Sequence, residues 1–566
     1  MTHRERPGVD HPSIGHMAHA TAQRFGDAIA FTAVMPNGMF GDLTFAAVDR
    51  MSDAFAVYLR EELGLAAGER VALQAPNGLA YPVVALGVLK AGCVLVNVNP
   101  LYTPEEMGRQ FKDSEPAALV IVDMFAGKLE EAFRTHAIRH VIVTRVAEFM
   151  PVLVRGVIGA VQKYWDRSIP DLALPHTRLP EALALGEARI AGGLDPAGLR
   201  AGLDPASLAC LQYTGGTTGV AKGAMLTHGN LLANMRQTGE LVSSRVRIGE
   251  ETVLTALPMY HIFAFTVNFL MFFEVGARNV LVPNPRPLSN LKRAFENYRI
   301  TWLTGVNTLF NGLLNEFWFA ESPPKYLRAS CAGGMALQGA VAERWQAVTG
   351  TPIIEGYGLS ETSPVLTFNS LDAPRPGSIG LPLPGTDIAI LDDAGEALPP
   401  GVAGELAARG PQVMNGYWRR PDETAKVMTP DGYFRTGDVA IRDPDGSLRI
   451  VDRKKDLIIV SGFNVFPNEV EDVLAAHEGI LECAVIGVPD GAAGEAVKAF
   501  VVRRDPNLTL EAVREHCRRT LTAYKVPRFV EFRDELPKST VGKILRKDLR
   551  GEELAKAPSD ASKQAA

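Results

Sequence analysis

Residues 213–231 read YTGGTTGVAKGAMLTHGNL, with five glycines and four threonines in nineteen positions. Glycine gives a backbone positive φ and lets main-chain N–H groups come close to a ligand. Thr214, Thr217 and Thr218 add hydroxyls and Lys222 adds a mobile positive charge, so the stretch reads as a loop that wraps a phosphate chain. A flexible surface turn is the plainer reading, but such turns rarely combine clustered threonine with a basic tail. The Gly-x-x-x-x-Gly-Lys-Ser/Thr spacing is not met, so a Walker-type loop is not indicated, and neither is a Rossmann fingerprint.

Outward from this loop, strand-like runs alternate with helix-like ones: RVALQAPNG then YPVVALGVLKAG, AALVIVD then FAGKLEEAFRTH, and later HVIVTR, NVLVP and VAERWQAVTG. Such alternation predicts an α/β multidomain chain with mostly buried sheets. From 372 to 445 the texture changes to short strands punctuated by Gly and Pro, which predicts an antiparallel β subdomain. Beyond VDRKKDLIIVSG, helical patterns at Val470, Val473 and Leu474 and at Leu510, Val513, Cys517 and Leu521 flank strand-like AVIGV and VKAFVVRR. That is a small α+β C-terminal domain. The expected division is 1–452, a hinge at 453–457, and 458–566.

A chain of 566 residues, 46% hydrophobic and 22% charged, is long enough to split into several cores. The net charge of −6 argues against nucleic acid, whose ligands usually carry a basic surplus. Cys93, Cys210, Cys331, Cys483 and Cys517 are scattered and odd in number, as in a reduced cytoplasmic protein. No window is apolar for long enough to span a bilayer. Residues 150–165, MPVLVRGVIGAVQKYW, suit either a helix lying on a membrane surface or one packed on its own protein. Packing is the expectation, because Gly156 and Gly159 weaken an isolated helix.

Further segments sharpen the loop. LPMYHIFAF (257–265) sets one His among aromatics, AGGMAL (332–337) is a small-residue turn, and EGYGLSETS (355–363) joins an aromatic, glycines, a hydroxyl and a carboxylate. RTGD (435–438), VDRKKDLIIVSGFNVFPNE (451–469) and LPKSTVGKILRK (536–547) follow in order. This ordered set resembles the adenylate-forming acyl-, aryl- and peptide-synthetase superfamily that includes firefly luciferase, over nearly the whole chain. NVNPLYTPEE (97–106) and LTGVNTLFN (303–311) look closely like the bacterial long-chain fatty acyl-CoA synthetase branch.

The resemblance implies a large N-terminal domain of α/β layers with a β subdomain, a small mobile C-terminal domain, and ligation of a fatty acid to coenzyme A through an acyl adenylate made from ATP. It implies that Thr214, Gly215, Gly216, Thr217, Thr218, Gly219 and Lys222 close over the β- and γ-phosphates. Gly216 stands where Ser is frequent in the family, and Ala221 where Pro is. Glu361, with Thr217, would hold Mg2+, a hard ion suited to a carboxylate and phosphate oxygens. Gly333 and Gly334 would leave room for adenine, Tyr357 would stack on it, and Glu355, Gly356, Gly358 and Ser360 would border the nucleotide. Asp438 and Arg453 would hold the ribose.

Lys543 would bridge the acid and the α-phosphate, a role for a compact charge on a flexible stem. His261 would position substrate, and Phe265 would be either an aromatic gate to the acyl channel or a plain core residue. Lys455 matches the hinge, and Ser461 with Gly462 would admit the pantetheine of coenzyme A after the small domain turns.

The alternatives are a fatty acyl-AMP ligase that loads a carrier protein, a CoA ligase for medium-chain or aryl acids, and a non-catalytic binder. No extra segment appears at 455–480 to restrain the small domain, and the intact Lys222, Glu361, Asp438, Arg453 and Lys543 speak against a binder. The expected setting is cytoplasmic, with peripheral contact at the inner face of the membrane and a homodimer left open.

Overall fold

The computed structural model describes residues 11–214, 221–490 and 494–556. Two large sheets carry the N-terminal part. A seven-stranded sheet runs in the order Thr177–Arg178, His140–Thr144, Ala118–Val122, Arg70–Gln74, Val94–Asn97, Leu208–Thr214 and Lys222–Thr227, parallel except for the last pair. A nine-stranded sheet is parallel through Ile353–Gly358, Ala329–Ala332, Trp302–Gly305, Thr252–Thr255, Arg278–Leu281 and Ile29–Val34, with antiparallel strands at both margins.

One apolar core joins the two sheets, drawing Leu73 and Leu95 from the first and Phe31 and Trp302 from the second. Helix Ala80–Lys90 lies within it with all of its residues buried. Its sequence, AYPVVALGVLK, is apolar on every side, which is the pattern of a helix enclosed by protein. Lys90 is the exception, and its ammonium reaches the carboxylates of Asp49 and Asp53, which Arg200 also meets at 2.6 Å. Those two acids with His19 make a cluster of metal-ligating side chains, and the Lys90 ammonium already supplies the cation there.

The opening stretch becomes a hairpin followed by a helix. Thr214 pairs with Lys222 across the antiparallel strands. Helix His228–Leu241 then starts at a capping box, in which Thr227 Oγ1 accepts from the Asn230 N–H and Asn230 Oδ1 accepts from the Thr227 N–H.

The antiparallel texture expected over 372–445 resolves differently at its edges. Leu381–Pro382 adds to the nine-stranded sheet, and a four-stranded sheet runs Asp387–Leu391, Ala403–Arg409, Phe434–Arg442 and Leu448–Arg453. The stretch DPDGSLRI already read as strand-like, and the strand it opens lies past the expected boundary at 445. Its register sets Asp438 opposite Arg453.

After the turn at 454–456, a smaller unit holds strands Ile458–Val460, Phe463–Val465, Ile480–Asp490, Gly494–Arg503 and Phe529–Arg533 with helices Pro467–Ala475, Leu510–Arg518 and Arg546–Lys556. Among the described residues its core, including Val470, Leu474, Val485, Val501, Val513 and Cys517, draws on none of the larger part. It meets that part through polar contacts: Thr308 Oγ1 donates to Gly542 O at 2.8 Å and Asn311 Nδ2 to Leu481 O at 2.8 Å.

The segment 150–165 forms helix Val152–Ala160, continued by a wider turn Val161–Trp165. Its inner side packs as expected through Val154 and Ile158. Packing accounts for only one side of the helix, and its other apolar residues face solvent.

Candidate active site

The carboxyl ends of the parallel strands open onto a cavity of about 1960 Å³ between the larger and smaller units. That is where ligands meet open α/β sheets. Ala329–Ala332 delivers Gly333 and Gly334 to its wall. A Cβ on Gly333 would stand 3.2 Å from the Phe263 ring and 3.3 Å from Gly356 O, and Gly334 has φ +82°. The small residues therefore leave a flat slot against the next strand, Ile353–Gly358. At that strand's end a Cβ on Gly358 would lie 1.8 Å from Pro364 O, so no other residue fits without moving the backbone.

Tyr357 donates its hydroxyl to Asp438 Oδ2 at 2.7 Å, and Arg453 Nε lies 3.3 Å from Asp438 Oδ1. Burial, reinforced by the Asp438 charge, raises the Tyr357 phenol well above its usual range, so it stays a donor. Glu355 accepts the Leu337 N–H at 3.2 Å, and loss of bulk water pushes its carboxyl up to about 8. Gly356 and Ser360 line the same wall.

Glu361 is 8% exposed and accepts the Tyr417 hydroxyl at 2.8 Å. Burial raises its pKa, since that neutral donor only partly replaces water. A recessed carboxylate with one neutral partner fits a hard divalent ion that brings phosphate oxygens with it. The Tyr417 ring also lies 5.1 Å beneath the Lys222 ammonium, which pairs with Glu423. Thr214 and Lys222 border the cavity, while Gly215, Gly216, Thr217, Thr218 and Gly219 lie outside the described residues.

Lys543 enters from the smaller unit on the turn 539–543, closed by Ser539 N–H to Lys543 O at 2.8 Å and Lys543 N–H to Ser539 Oγ at 3.1 Å. Gly542 has φ +86°, and a Cβ there would meet Thr308 Oγ1 at 2.8 Å, so glycine lets the turn seat against the larger unit. Burial, aided by the Arg453 charge, brings the Lys543 ammonium down to about 7. His261 faces the same space, and burial, with a smaller push from Lys543, lowers it to about 4. It is therefore a neutral ring near pH 7. Lys455 also lines the cavity at the turn between units and is lowered to about 8 by burial.

Two expected positions lie elsewhere. Phe265 does not line the cavity; it is fully buried and meets Phe269 edge-on at 5.6 Å, so in this arrangement it is a core residue and not a gate. Val267, Met271, Phe272 and Trp302 line the apolar branch instead. Ser461 and Gly462 form an exposed hairpin turn with φ +51° and +83°, outside the cavity wall.

Sequence reasoning passed over Tyr417, Glu423 and Arg546. The segment NGYWRRPDE (415–423) held the signal for the first two, an aromatic and an acid beside a turn. Arg546 meets both Glu471 oxygens at 2.9 and 2.7 Å and Asp452 at 3.1 Å, while Arg550 holds Asp456 at 2.7 Å. These arginines fasten the last helix to the turn that joins the units.

The layered sheets, the smaller unit and this cavity define an adenylate-forming enzyme: the chain belongs to the AMP-binding enzyme family, whose model matches residues 18–418, with the AMP-binding enzyme C-terminal domain matching 469–543. Among curated relatives, the long-chain-fatty-acid–CoA ligase of Yersinia pestis is 49% identical over 97% of this chain and 96% of its own. That of Escherichia coli is 48% identical over the same shares. Among solved structures, ATP-bound MatB from Rhodopseudomonas palustris is similar at a TM-score of 0.77 and 28% identity, covering 95% of this chain and 98% of its own.

Proposed function

We propose that this chain joins a long-chain fatty acid to coenzyme A at the expense of ATP, through an acyl adenylate. The observation that carries this reading is the meeting of Lys543, from the smaller unit, with Tyr357, Asp438, Arg453 and Glu361 of the larger one in a single cavity. The acid class is supported by the relatives, long-chain-fatty-acid–CoA ligases covered almost end to end, and by the apolar branch at Val267, Met271 and Trp302.

A carboxylate oxygen of the acid attacks the α-phosphorus of ATP and pyrophosphate leaves; the coenzyme A sulfur then attacks the acyl carbon and AMP leaves. Negative charge gathers on phosphorus oxygens in the first step, so cations fixed in advance around them lower the barrier. Lys543 meets the acid and the α-phosphate, and Lys222 with the loop 214–222 holds the outer phosphates. Tyr357, Gly333 and Gly334 form the adenine slot, and Asp438 with Arg453 takes the ribose hydroxyls. Glu361, with Thr217, would hold magnesium, which when bound supplies positive charge to the phosphates. His261, being neutral, orients the acyl group without carrying a proton.

The second step needs space where Lys543 stands. The smaller unit has its own core and meets the larger one through hydrogen bonds and the Arg546–Asp452 ion pair, so turning about Lys455 can withdraw Lys543 and present Ser461 and Gly462. Five free, buried cysteines suit the reducing cytoplasm. Peripheral contact with the inner face of its membrane belongs to the same reading, because the acid partitions into lipid.

The test supplies purified protein with ATP, magnesium, coenzyme A and acids from acetate to oleate, following AMP, pyrophosphate and thioester separately. Equal yields of all three, greatest with the long chains, are expected. Absence of pyrophosphate release at every length overturns the reading, and acyl adenylate without thioester would reassign the acceptor to a carrier protein.

A further inference from the structure

Helix Val152–Ala160 with its continuation Val161–Trp165 carries apolar residues on two sides. Val154 and Ile158 face the core. Leu153, Gly156, Val157, Ala160, Val161 and Tyr164 recur at i, i+3, i+4, i+7, i+8 and i+11, which is one stripe of a helix, and all six are exposed. Leu153 is 84% exposed, Tyr164 76% and Trp165 86%. Large apolar residues are exposed elsewhere too, Leu101 and Phe317 among them, but six of them, Val152, Leu153, Val157, Val161, Tyr164 and Trp165, fall within the single segment 152–165. Contiguous exposed apolar surface of this kind marks a contact with something else.

The chemistry around the stripe says what. Lys163 and Arg167 are exposed beside Tyr164 and Trp165, and over 149–167 they and Arg155 outnumber the one acid, Asp166, by two charges. The chain as a whole carries −6, so this basic and aromatic end stands against the general charge. Aromatic rings with flanking Lys and Arg collect at the headgroup level of bilayers, and a helix with such a face lies in that plane. No helix of the described residues is long and apolar enough to cross a membrane. A second copy of the chain would cover the apolar stripe equally well but would leave Lys163 and Arg167 facing their own like charges.

We propose that the stripe from Leu153 to Trp165 seats the enzyme on the surface of an anionic bilayer, with Leu153, Val157 and Tyr164 in the acyl boundary and Lys163 and Arg167 at the phosphates. This rests on the reading of the acid as a long-chain fatty acid, since a lipid surface is where such an acid concentrates. The helix is then the docking element that brings the cavity to its substrate.

The experiment uses the full chain and the double variant Leu153→Glu/Trp165→Glu. Partition is measured by co-sedimentation with vesicles of phosphatidylglycerol and phosphatidylethanolamine, and with vesicles of phosphatidylcholine alone. Ligation of octanoate without vesicles and sedimentation velocity are run in parallel. The expected result is partition of the unmodified chain onto the anionic vesicles, at least tenfold weaker in the variant and on phosphatidylcholine, with octanoate turnover and sedimentation unchanged. Equal partition by both chains, or none by either, overturns the proposal. So does a variant that changes only the monomer–dimer balance, which would give the stripe to a second copy. Octanoate turnover reports on the ligase reading independently of partition, so the two fail separately.

Discussion

Lys222 and Lys543 both stand at the cavity, and their surroundings differ. Lys222 is supplied by the larger unit, rests over the Tyr417 ring and is paired with Glu423, which Lys426 also meets at 2.5 Å. Lys543 is supplied by the smaller unit, and among the described residues no carboxylate lies within ion-pair distance of it; Asp438 supports its charge only at longer range. One ammonium therefore waits with a counter-ion that phosphate must displace. The other waits desolvated, its charge weakened until anions arrive. The first suits a holder of phosphates that stay together, and the second suits a group whose charge is needed during one step and unwelcome in the next.

The sharpest way to break this comparison is Lys543→Ala. Loss of a preorganised cation should lower pyrophosphate release by about a thousandfold. Thioester formation from supplied acyl adenylate should stay within a few fold, and equal losses in both assays would remove the contrast between the lysines. Lys455→Pro should invert the pattern, because a fixed φ stiffens the turn. Thioester formation then drops by roughly tenfold or more with adenylation retained, and unaltered thioester yield would move the pivot elsewhere.

The pH profile separates the lysines by their charge. Lys543 is lowered to about 7 in the ligand-free arrangement, so it is mostly charged at pH 6 and mostly neutral at pH 8. Above pH 7, kcat/KM for the first step should fall by about tenfold per unit, while kcat holds further, because bound anions draw the proton back. Superimposable profiles would contradict this. The linkage has a definite sign: a lysine depressed in the closed arrangement disfavours that arrangement as pH falls from the ordinary lysine range towards 7, and ATP with the acid reverses the penalty. The smallest effect concerns Glu423→Gln. A solvent-screened ion pair of this kind contributes little, so KM for ATP should fall by up to about fivefold with kcat unchanged. A raised KM would show that Glu423 orients Lys222 for phosphate and does not compete with it.

Much of this arrangement was legible in the sequence. The family resemblance carried by the order of the motifs grouped Gly333, Tyr357, Glu361, Asp438, Arg453 and Lys543, and all six line one cavity. The ribose pair depended on a register, Asp438 opposite Arg453, that joins strands separated by a hairpin. Phe265 read equally as gate or core, since an apolar run shows that a segment is buried without showing which rings face a cavity. Tyr417 and Glu423 were missed because their importance comes from what they touch, Glu361 and Lys222, at long sequence distance. Periodicity found the helix at 150–165 and could not say that it has apolar residues both inside and out.

Arg453, given the ribose in the proposed reaction, ends its strand, and the next three residues make the turn into the smaller unit. The pivot and the nucleotide clamp are thus consecutive links of one chain, and Arg546 with Arg550 anchors the final helix to the same few acids. If the small domain rotates as proposed, it would pull on the residues assigned to the sugar, gearing release of AMP to the return stroke.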